Sequence, residues 1–399
     1  MRIKLDKTPI KKFQKENGFV LYNPLNHEIV FNKSNLQPAD DIFLDSITLE
    51  RPKLKKARVE LTLGCNAACK YCVVFKNDVS NIGKTMNHGT ARNIAAFFNE
   101  NMMGGTLMLI GGEPLDAWDI TKYLFESCEA GEKVLFTNGT LVTKEYAKFL
   151  SDQKVLVLVS LDGMHQHNTQ RVYSDGREIF GDTIRGLRTL QDANSKIAIS
   201  AVVTNHNVYD LADIVEFYHK ELSVDSVGLT TPHHINNFDF ALDIKEYTNQ
   251  MLNIFSYSQE NNIYIDQIAK RIKAIAHQDF KDRACKISGD QITFYPDGTT
   301  SLCIKIDKIP KLKDKKADYY FEKLPIFDSS CVECTAIGVC GGGCYLDAFY
   351  DPTGRDQRDC YFYPKLVEHI IWDMKDLVDE KGKISKEKRI LKYKGMLHE

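Results

Sequence analysis

Three cysteines lie close together in the first quarter of the chain. Cys65, Cys69 and Cys72 directly follow the strand-like segment at residues 59–63. Iron–sulfur clusters that are purely structural take four thiolates, so three thiolates would leave one iron free to bind another ligand. A zinc site with a fourth Cys or His nearby and a group of buried free thiols are the alternatives. The spacing indicates a metal centre with one open position, where chemistry could take place.

A second group of cysteines lies towards the other end of the chain. It consists of Cys285, Cys303, Cys331, Cys334, Cys340, Cys344 and Cys360. The remaining cysteine, Cys128, lies in an apolar helical pattern that predicts a buried structural thiol. Cysteines grouped in this way in a reducing compartment indicate metal ligation rather than disulfides.

Length and composition limit the possible classes of protein. A chain of 399 residues is long enough for one large domain and a smaller one. A formal net charge of −2 gives no general affinity for nucleic acid. The N-terminus lacks the apolar segment of a signal peptide, and no apolar run approaches the roughly 18 residues of a membrane span. We therefore expect a cytoplasmic protein that binds neither nucleic acid nor membrane.

Six candidate strands alternate with helical patterns between residues 56 and 235. They are residues 59–63, 106–110, 133–137, 155–160, 197–203 and 225–229. Nearly continuous apolar strands separated by helices are typical of a parallel sheet. We predict an α/β fold, a partial (β/α)6 TIM-like barrel, and the carboxyl ends of its strands would share one mouth. The residues that follow these ends are Cys65, Gly111, Asn138, Asp162 and Thr204.

Four further segments flank the predicted barrel at 56–235. Residues 1–55 are predicted to form an extension that contains a β-hairpin. Three interpretations of this segment are open: a packed extension, a cap on the barrel or a peptide-binding element. Residues 236–280 form a helical bridge with one apolar face. Residues 281–365 form a small cysteine-rich domain that depends on a metal, because so little apolar sequence could not form a core unaided. Residues 366–399 form a C-terminal helix and a charged tail.

Two motifs together resemble one enzyme family. Gly111-Gly112-Glu113-Pro114 follows the second strand, and an aromatic residue, Tyr71, lies within the three-cysteine motif that follows the first. The chain is similar in both to the radical S-adenosylmethionine (radical SAM) enzymes. The resemblance implies a [4Fe–4S] cluster at Cys65, Cys69 and Cys72, whose open iron binds SAM. Electron transfer into SAM would then release a 5′-deoxyadenosyl radical.

The resemblance also implies which residues contact SAM. Glycine lets a ligand approach the backbone and a carboxylate accepts a hydrogen bond from an amine, so the turn at residues 111–114 would hold the amino end. Tyr71 would contact the adenine, Ser160 and Asp162 the ribose, and Arg171 the carboxylate. A tight turn, a loop-capping Asp162 and a solvated Arg171 are the alternative interpretations.

The order of the later cysteines resembles the SPASM extension of radical SAM enzymes, which carries two auxiliary iron–sulfur clusters, expected to be [4Fe–4S]. The resemblance implies that Cys331, Cys334, Cys340 and Cys360 ligate one cluster, and that Cys285, Cys303 and Cys344 serve the other. Related sulfatase maturases have an additional cysteine just before the equivalent of Cys285, but residues 278–284 contain none. We therefore hypothesise an open iron there that binds a substrate thiolate or another ligand.

The SPASM resemblance implies a peptide or protein substrate and an external one-electron donor such as flavodoxin or ferredoxin. Hydrogen abstraction would lead to a thioether or carbon–carbon crosslink or to an oxidised residue. Asp266 lies where the sulfatase maturases carry a carboxylate base; a surface or helix-capping aspartate is the alternative. An anaerobic sulfatase-maturating enzyme, a small-molecule radical dehydrogenase and a zinc-binding interaction module without catalysis remain alternative functions.

Overall fold

The computed structural model describes residues 1–4, 9–15, 18–32, 46–72, 84–234 and 242–398. The chain forms two compact units that alternate along the sequence. The sheet unit comprises residues 52–242 and 287–318, and the cysteine-rich unit comprises residues 1–51, 243–286 and 319–399. Within the described ranges, no helix is long and apolar enough to cross a membrane. The domain boundaries drawn from the sequence stay predictions.

A parallel sheet is the centre of the sheet unit. Its parallel strands among the described residues are β1 (Lys56–Glu60), β2 (Thr106–Ile110), β3 (Glu132–Thr137), β4 (Leu156–Ser160), β5 (Lys196–Val202), β6 (Ser226–Thr230) and β7 (Gln291–Phe294). They are hydrogen-bonded in the order β6-β5-β4-β3-β2-β1-β7. A short strand, β8 (Thr300–Ser301), pairs antiparallel with β7. Consecutive strands that are parallel neighbours bring their carboxyl ends to one edge of the sheet.

Helices connect the parallel strands. They are α1 (His88–Asn101), α2 (Trp118–Ser127), α3 (Lys144–Asp152), α4 (Phe180–Asp192) and α5 (Leu211–Lys220). The Asn87 side chain caps the N-terminus of α1, and the Thr143 side chain caps that of α3. In α1, Ala91, Ile94 and Phe98 are buried, and their spacing forms one apolar face.

The predicted α/β fold with a parallel sheet is confirmed, with two differences in detail. The first strand is β1 at Lys56–Glu60, three residues earlier than the predicted segment 59–63. The second difference is β7, which the sequence interpretation assigned to a separate cysteine-rich domain. It pairs parallel with β1, from Gln291 opposite Lys56 to Phe294 opposite Val59. A four-residue strand without a following helical pattern gives no sequence signal for this pairing.

The cysteine-rich unit contains a three-stranded antiparallel sheet of Lys11–Lys15, Gly18–Asn23 and Glu28–Asn32. The predicted hairpin is therefore confirmed by the pairing of Gly18–Asn23 with Glu28–Asn32. The lysine-rich strand Lys11–Lys15, which pairs with the first strand of this hairpin, was not predicted. The longer helices of this unit are Ile244–Glu260, Asp266–His277, Gln357–Asp373 and Lys386–Leu397. This unit also contains short helices at Ser329–Val332, Ile337–Cys340 and Tyr345–Tyr350.

A hydrophobic cluster in this unit explains why the linear domain boundaries are difficult to draw. It joins residues from both ends of the chain: Leu25, Ile47, Leu49, Phe321, Leu324, Ile326 and Ile337. The segment around the later cysteines thus shares its core with the N-terminal residues, which supply the apolar side chains that it lacks.

Candidate metal and SAM site

A cavity of about 240 Å³ opens among the strand ends of the sheet unit. Eight of the predicted site residues line it: Cys65, Cys69, Cys72, Tyr71, Gly111, Gly112, Ser160 and Arg171. The structure therefore brings the three-cysteine motif, the glycine turn, Ser160 and Arg171 to one place.

Backbone hydrogen bonds hold the cysteine loop. The Lys70 nitrogen donates to the Gln170 carbonyl at 2.9 Å, and the Ala68 nitrogen donates to the Val172 carbonyl at 2.7 Å. All three cysteines are partly exposed. The loop is thus fixed by the residues around Arg171, while its thiols remain accessible from the cavity.

The thiols have the chemistry that an iron–sulfur cluster requires. Burial raises the pKa of Cys65 to about 12 and also raises that of Cys69, where the Arg171 guanidinium opposes the shift. Near neutral pH these thiols are protonated without a metal, so metal binding must displace the protons. Three convergent thiols without a fourth sulfur in the cavity lining fit a [4Fe–4S] cluster with one open iron.

The glycine turn packs directly against the cysteine loop. A Cβ atom on Gly112 would lie 1.9 Å from the Gly64 carbonyl oxygen, and one on Gly111 would lie 2.5 Å from the Thr62 carbonyl oxygen. Gly111 also has φ of +147°, which other residues rarely adopt. Only glycine fits both positions, so the turn and the loop form one continuous cavity wall.

Glu113 is fully buried and is not part of the cavity lining. Its carboxylate accepts hydrogen bonds from the Thr137 hydroxyl at 2.7 Å, the Asn138 nitrogen at 2.8 Å and the Leu115 nitrogen at 3.0 Å. Burial raises the pKa of Glu113 to about 7, although these hydrogen bonds lower it. Glu113 thus caps the turn Pro114–Ala117 and joins β2 to β3. Contact of Glu113 or Pro114 with SAM stays a prediction.

Tyr71, Asp162 and Arg171 form a buried hydrogen-bonded group. The Tyr71 hydroxyl donates to Oδ2 of Asp162 and accepts from Nη1 of Arg171, the latter at 2.7 Å. Burial raises the pKa values of Tyr71 and Asp162. Oδ1 of Asp162 accepts from the Val202 nitrogen, so this carboxylate fixes the end of β4 against β5.

Arg171 is only 6% exposed, so the interpretation as a solvated charge is wrong. Among the described residues its Nε has no hydrogen-bond partner. A buried, unpartnered guanidinium nitrogen on a residue that lines the cavity is suited to an anionic ligand group. This fits the carboxylate of SAM, as predicted from the resemblance.

Several lining residues were not predicted as site residues. Arg58 and Glu60 alternate with apolar residues along β1, and this polar pair within a buried strand is the signal that could have identified them. Asn138 was placed at a strand end without a role. Lys305 had no local signal; its Nζ contacts Nε2 of His233.

Four of the later cysteines lie in the cysteine-rich unit close enough to interact electrostatically. Burial, together with the neighbouring Cys331 and Cys334, raises the pKa of Cys360 to about 11. Burial raises the pKa of Cys340 as well, and Cys334 acts in the same direction. Gly341, with φ of +62°, lies where a Cβ would be 2.3 Å from the Ala284 nitrogen. The structure therefore brings together the four cysteines predicted for one auxiliary cluster.

The other predicted site residues are divided between the units. Cys285 and Cys344 belong to the cysteine-rich unit, and Cys303 belongs to the sheet unit; all three are partly exposed. Asp266 begins the helix Asp266–His277 and accepts from Lys270 at 2.8 Å. Its role as a base stays a prediction. Cys128 is 3% exposed, in agreement with a buried structural thiol.

Comparisons with known proteins agree with this site. Residues 59–220 match the family model of the Radical SAM superfamily. The chain is 23% identical over 394 residues to the radical SAM cyclopropyl synthase TigE of Paramaledivibacter caminithermalis. This alignment covers 89% of this chain and 81% of that protein. The chain is also 23% identical over 351 residues to a cysteine-type anaerobic sulfatase-maturating enzyme of Clostridium perfringens, covering 77% of this chain and 93% of the relative.

A solved structure shows the same fold. The structure of native anSMEcpe with bound AdoMet and the Cp18Cys peptide has a TM-score of 0.64 at 21% identity, covering 81% of this chain and 98% of that chain. Together with the match over residues 59–220, this shows that the chain contains a radical SAM domain within a fold similar to that structure. The superfamily binds a [4Fe–4S] cluster and SAM.

Proposed function

We propose that this enzyme abstracts hydrogen from a side chain or backbone position of a peptide or protein and thereby forms a crosslink or an oxidised residue. The observation that carries the proposal is the cavity that combines Cys65, Cys69 and Cys72 with the unpartnered Nε of Arg171. It offers sulfur ligands for the metal and a cation for a carboxylate within one cavity.

Each group of residues has a defined task. Cys65, Cys69 and Cys72 hold the cluster, and Arg171 binds the SAM carboxylate through Nε, while Nη1 stays on Tyr71. The turn at Gly111 and Gly112 leaves space beside the backbone for the amino end of SAM. When bound, the cluster and SAM supply a 5′-deoxyadenosyl radical that removes one hydrogen atom from the substrate.

The later cysteines supply the second part of the proposal, a SPASM-type pair of auxiliary clusters. Cys331, Cys334, Cys340 and Cys360 provide four thiolates for one cluster. Cys285, Cys303 and Cys344 provide three for the other, so that a substrate thiolate or another ligand completes it. After the 5′-deoxyadenosyl radical has taken the hydrogen atom of a C–H group, bonding of the carbon radical to an S–H group forms the C–S bond and releases one electron and one proton. An auxiliary cluster would accept the electron, and the proton would pass to solvent.

Two partners follow from the chemistry. Reduction of the first cluster needs an external one-electron donor, such as flavodoxin or ferredoxin. A peptide or protein substrate is supported by the relatives, which include a sulfatase-maturating enzyme and a protein solved with a bound peptide. The free cysteines favour a reducing compartment, which we propose is the cytoplasm.

Anaerobic reconstitution tests the proposal. We expect roughly twelve irons per chain if all three clusters are [4Fe–4S], together with release of 5′-deoxyadenosine that depends on a reductant. Cys69→Ala should lose about four irons and all SAM cleavage, whereas the matched variant Cys128→Ala should keep both. Zinc without iron, or no cleavage of SAM by the wild type, would exclude the enzyme and favour an interaction module.

A sulfatase-maturating activity is the second candidate, favoured by the 93% coverage of the Clostridium perfringens enzyme. The absence of a cysteine at residues 278–284 weakens it. Mass spectrometry separates the two after incubation with a sulfatase-derived cysteine peptide and with peptides that carry a cysteine beside other side chains. Formation of an intramolecular crosslink supports peptide crosslinking, and oxidation of the sulfatase peptide alone supports the alternative.

A further inference from the structure

Asn138, at the carboxyl end of β3, is held by hydrogen bonds through both its backbone and its side chain. Its backbone nitrogen donates to Glu113 at 2.8 Å, and its carbonyl oxygen accepts from the Thr183 hydroxyl at 2.8 Å. Its side-chain Oδ1 accepts from the Thr140 backbone nitrogen at 2.9 Å and from the Thr140 hydroxyl at 2.7 Å. The residue is 6% exposed, so its side chain is held in one orientation.

A closed ring of hydrogen bonds determines which end of the Asn138 amide faces the cysteine loop. Nδ2 of Asn138 donates to Oδ1 of Asn66 at 2.7 Å, Nδ2 of Asn66 donates to the Thr140 hydroxyl at 2.8 Å, and this hydroxyl donates back to Asn138. Exchange of the Asn138 oxygen and nitrogen would bring two carbonyl oxygens together and set the Thr140 N–H against an NH₂ group. The ring therefore directs the NH₂ group towards the cysteine loop.

One N–H of Asn138 remains after the ring is complete. Nδ2 lies 3.9 Å from Sγ of Cys65, within reach of a long hydrogen bond to sulfur. The Ala67 backbone nitrogen lies 3.4 Å from the same sulfur. Cys65 is thus approached by two donors, of which one is a side chain held by Asn66 and Thr140.

We propose that Asn138 is a positioning residue that donates a hydrogen bond to the Cys65 thiolate and raises the reduction potential of the bound cluster. The inference rests on the proposed function, because it requires the cluster at Cys65, Cys69 and Cys72. Reduction adds one electron from the external donor, moves no proton and breaks no bond. Since the added charge spreads onto the sulfurs, a donor stabilises the reduced cluster more than the oxidised one.

Three variants separate this role from a purely structural one. Asn138→Ala removes the donor. Thr140→Val opens the ring but keeps the Asn138 amide. Thr183→Val is the matched control, because it removes a buried hydroxyl whose hydrogen bond, among the described residues, goes to the Asn138 backbone carbonyl.

The measurement is an anaerobic redox titration followed by electron paramagnetic resonance, with iron content and melting temperature as checks. The signal that changes on addition of SAM identifies the cluster at Cys65. We expect a lower midpoint potential for Asn138→Ala, a smaller shift in the same direction for Thr140→Val and the wild-type potential for Thr183→Val.

Equal potentials for Asn138→Ala and the wild type at equal iron content overturn the inference, as does an equally large shift in Thr183→Val. If Asn138→Ala takes up no iron, the other two variants decide. A potential that is lower than the wild-type value in Thr140→Val but not in Thr183→Val supports the role of Asn138. Equal potentials in Thr140→Val and the wild type overturn it. A wild type that contains iron but shows no SAM-dependent signal defeats the proposed function itself, and this inference with it.

Discussion

The backbone nitrogen of Asn138 donates to Oε2 of Glu113 at 2.8 Å, so a buried carboxylate joins the ends of β2 and β3. The Thr137 hydroxyl bonds Oε1 of the same carboxylate at 2.7 Å. On the other side of the turn, the Glu113 nitrogen donates to the Gly64 carbonyl at 2.9 Å. Glu113 therefore connects the cysteine loop to the strand end that carries Asn138, although it does not line the cavity.

The protonation of Glu113 should make stability depend on pH. In the folded protein its pKa is raised to about 7 from an ordinary value of 4.5, so the folded state binds this proton more tightly than the unfolded state. The free energy of unfolding should fall as the pH rises from 4.5 to 7, by about 3 kcal/mol from this group. Below pH 4.5 the contribution is fully present, and above pH 7 it is lost.

Glu113→Gln tests this dependence in the metal-free protein. Glutamine does not titrate, but its NH₂ group faces the Asn138 N–H, so the variant should be less stable at acidic pH. Thermal unfolding between about pH 4.5 and 8 measures the melting temperatures of wild type and variant. The difference between these two temperatures should become smaller as the pH rises. If the melting temperatures of wild type and variant differ by the same amount at every pH, Glu113 does not titrate in this range.

Gly112→Ala should displace the cysteine loop. The added Cβ would lie 1.9 Å from the Gly64 carbonyl oxygen, which is backbone and cannot move without moving Cys65. We expect the loss of about four irons per chain after reconstitution, with a lower melting temperature. Gly181→Ala is the matched control, since nothing lies within 4 Å of its Cβ position and alanine favours its helix by up to about 1 kcal/mol. Full iron content in Gly112→Ala would refute the close packing.

The local features of this site were predictable, because each lies within a short segment. The spacing of the three cysteines, the glycine turn and the apolar strands are all visible without tertiary information. The pairing of β7 with β1 was not, since Gln291–Phe294 joins the sheet through residues far away in the sequence. Lys305 in the cavity lining depends on the same pairing, because it follows the β7–β8 hairpin.

The polar interior shows the same limit. Asn66, Asn138 and Thr140 are ordinary loop residues in the sequence, and only the fold brings their side chains into one ring. Glu113 was predicted to meet the SAM amino group, yet within the described residues its carboxylate accepts hydrogen bonds from Leu115, Thr137 and Asn138 of the protein itself. A motif identifies the residues of a site, but it does not tell whether their side chains contact a ligand or form hydrogen bonds within the protein that surrounds the cavity.

Tyr71→Phe should weaken SAM binding through Arg171. The change removes the hydroxyl that links Arg171 to Asp162, so the guanidinium can turn towards the carboxylate and away from the cavity. We expect a stability loss of about 1–3 kcal/mol and a roughly tenfold weaker affinity for SAM, measured by anaerobic equilibrium binding.

Tyr218→Phe provides the comparison, because it removes another buried hydroxyl, which donates to the Leu161 carbonyl at 2.8 Å. Its stability cost should be similar, and its SAM affinity should equal that of the wild type. If both variants bind SAM equally weakly, the effect of Tyr71 is general destabilisation rather than control of Arg171.

Asp266→Asn separates the two interpretations of that residue. Asp266 lies in the first turn of its helix and pairs with Lys270, so loss of its charge should cost about 0.5–1 kcal/mol at a partly exposed position. Asp243→Asn is the matched variant, because Asp243 caps the preceding helix through the nitrogens of Lys245 and Glu246. We expect both variants to keep reductant-dependent release of 5′-deoxyadenosine and the same yield of modified peptide. Release of 5′-deoxyadenosine without modified peptide in Asp266→Asn alone would instead identify Asp266 as the base, because hydrogen abstraction would continue while the later proton transfer failed.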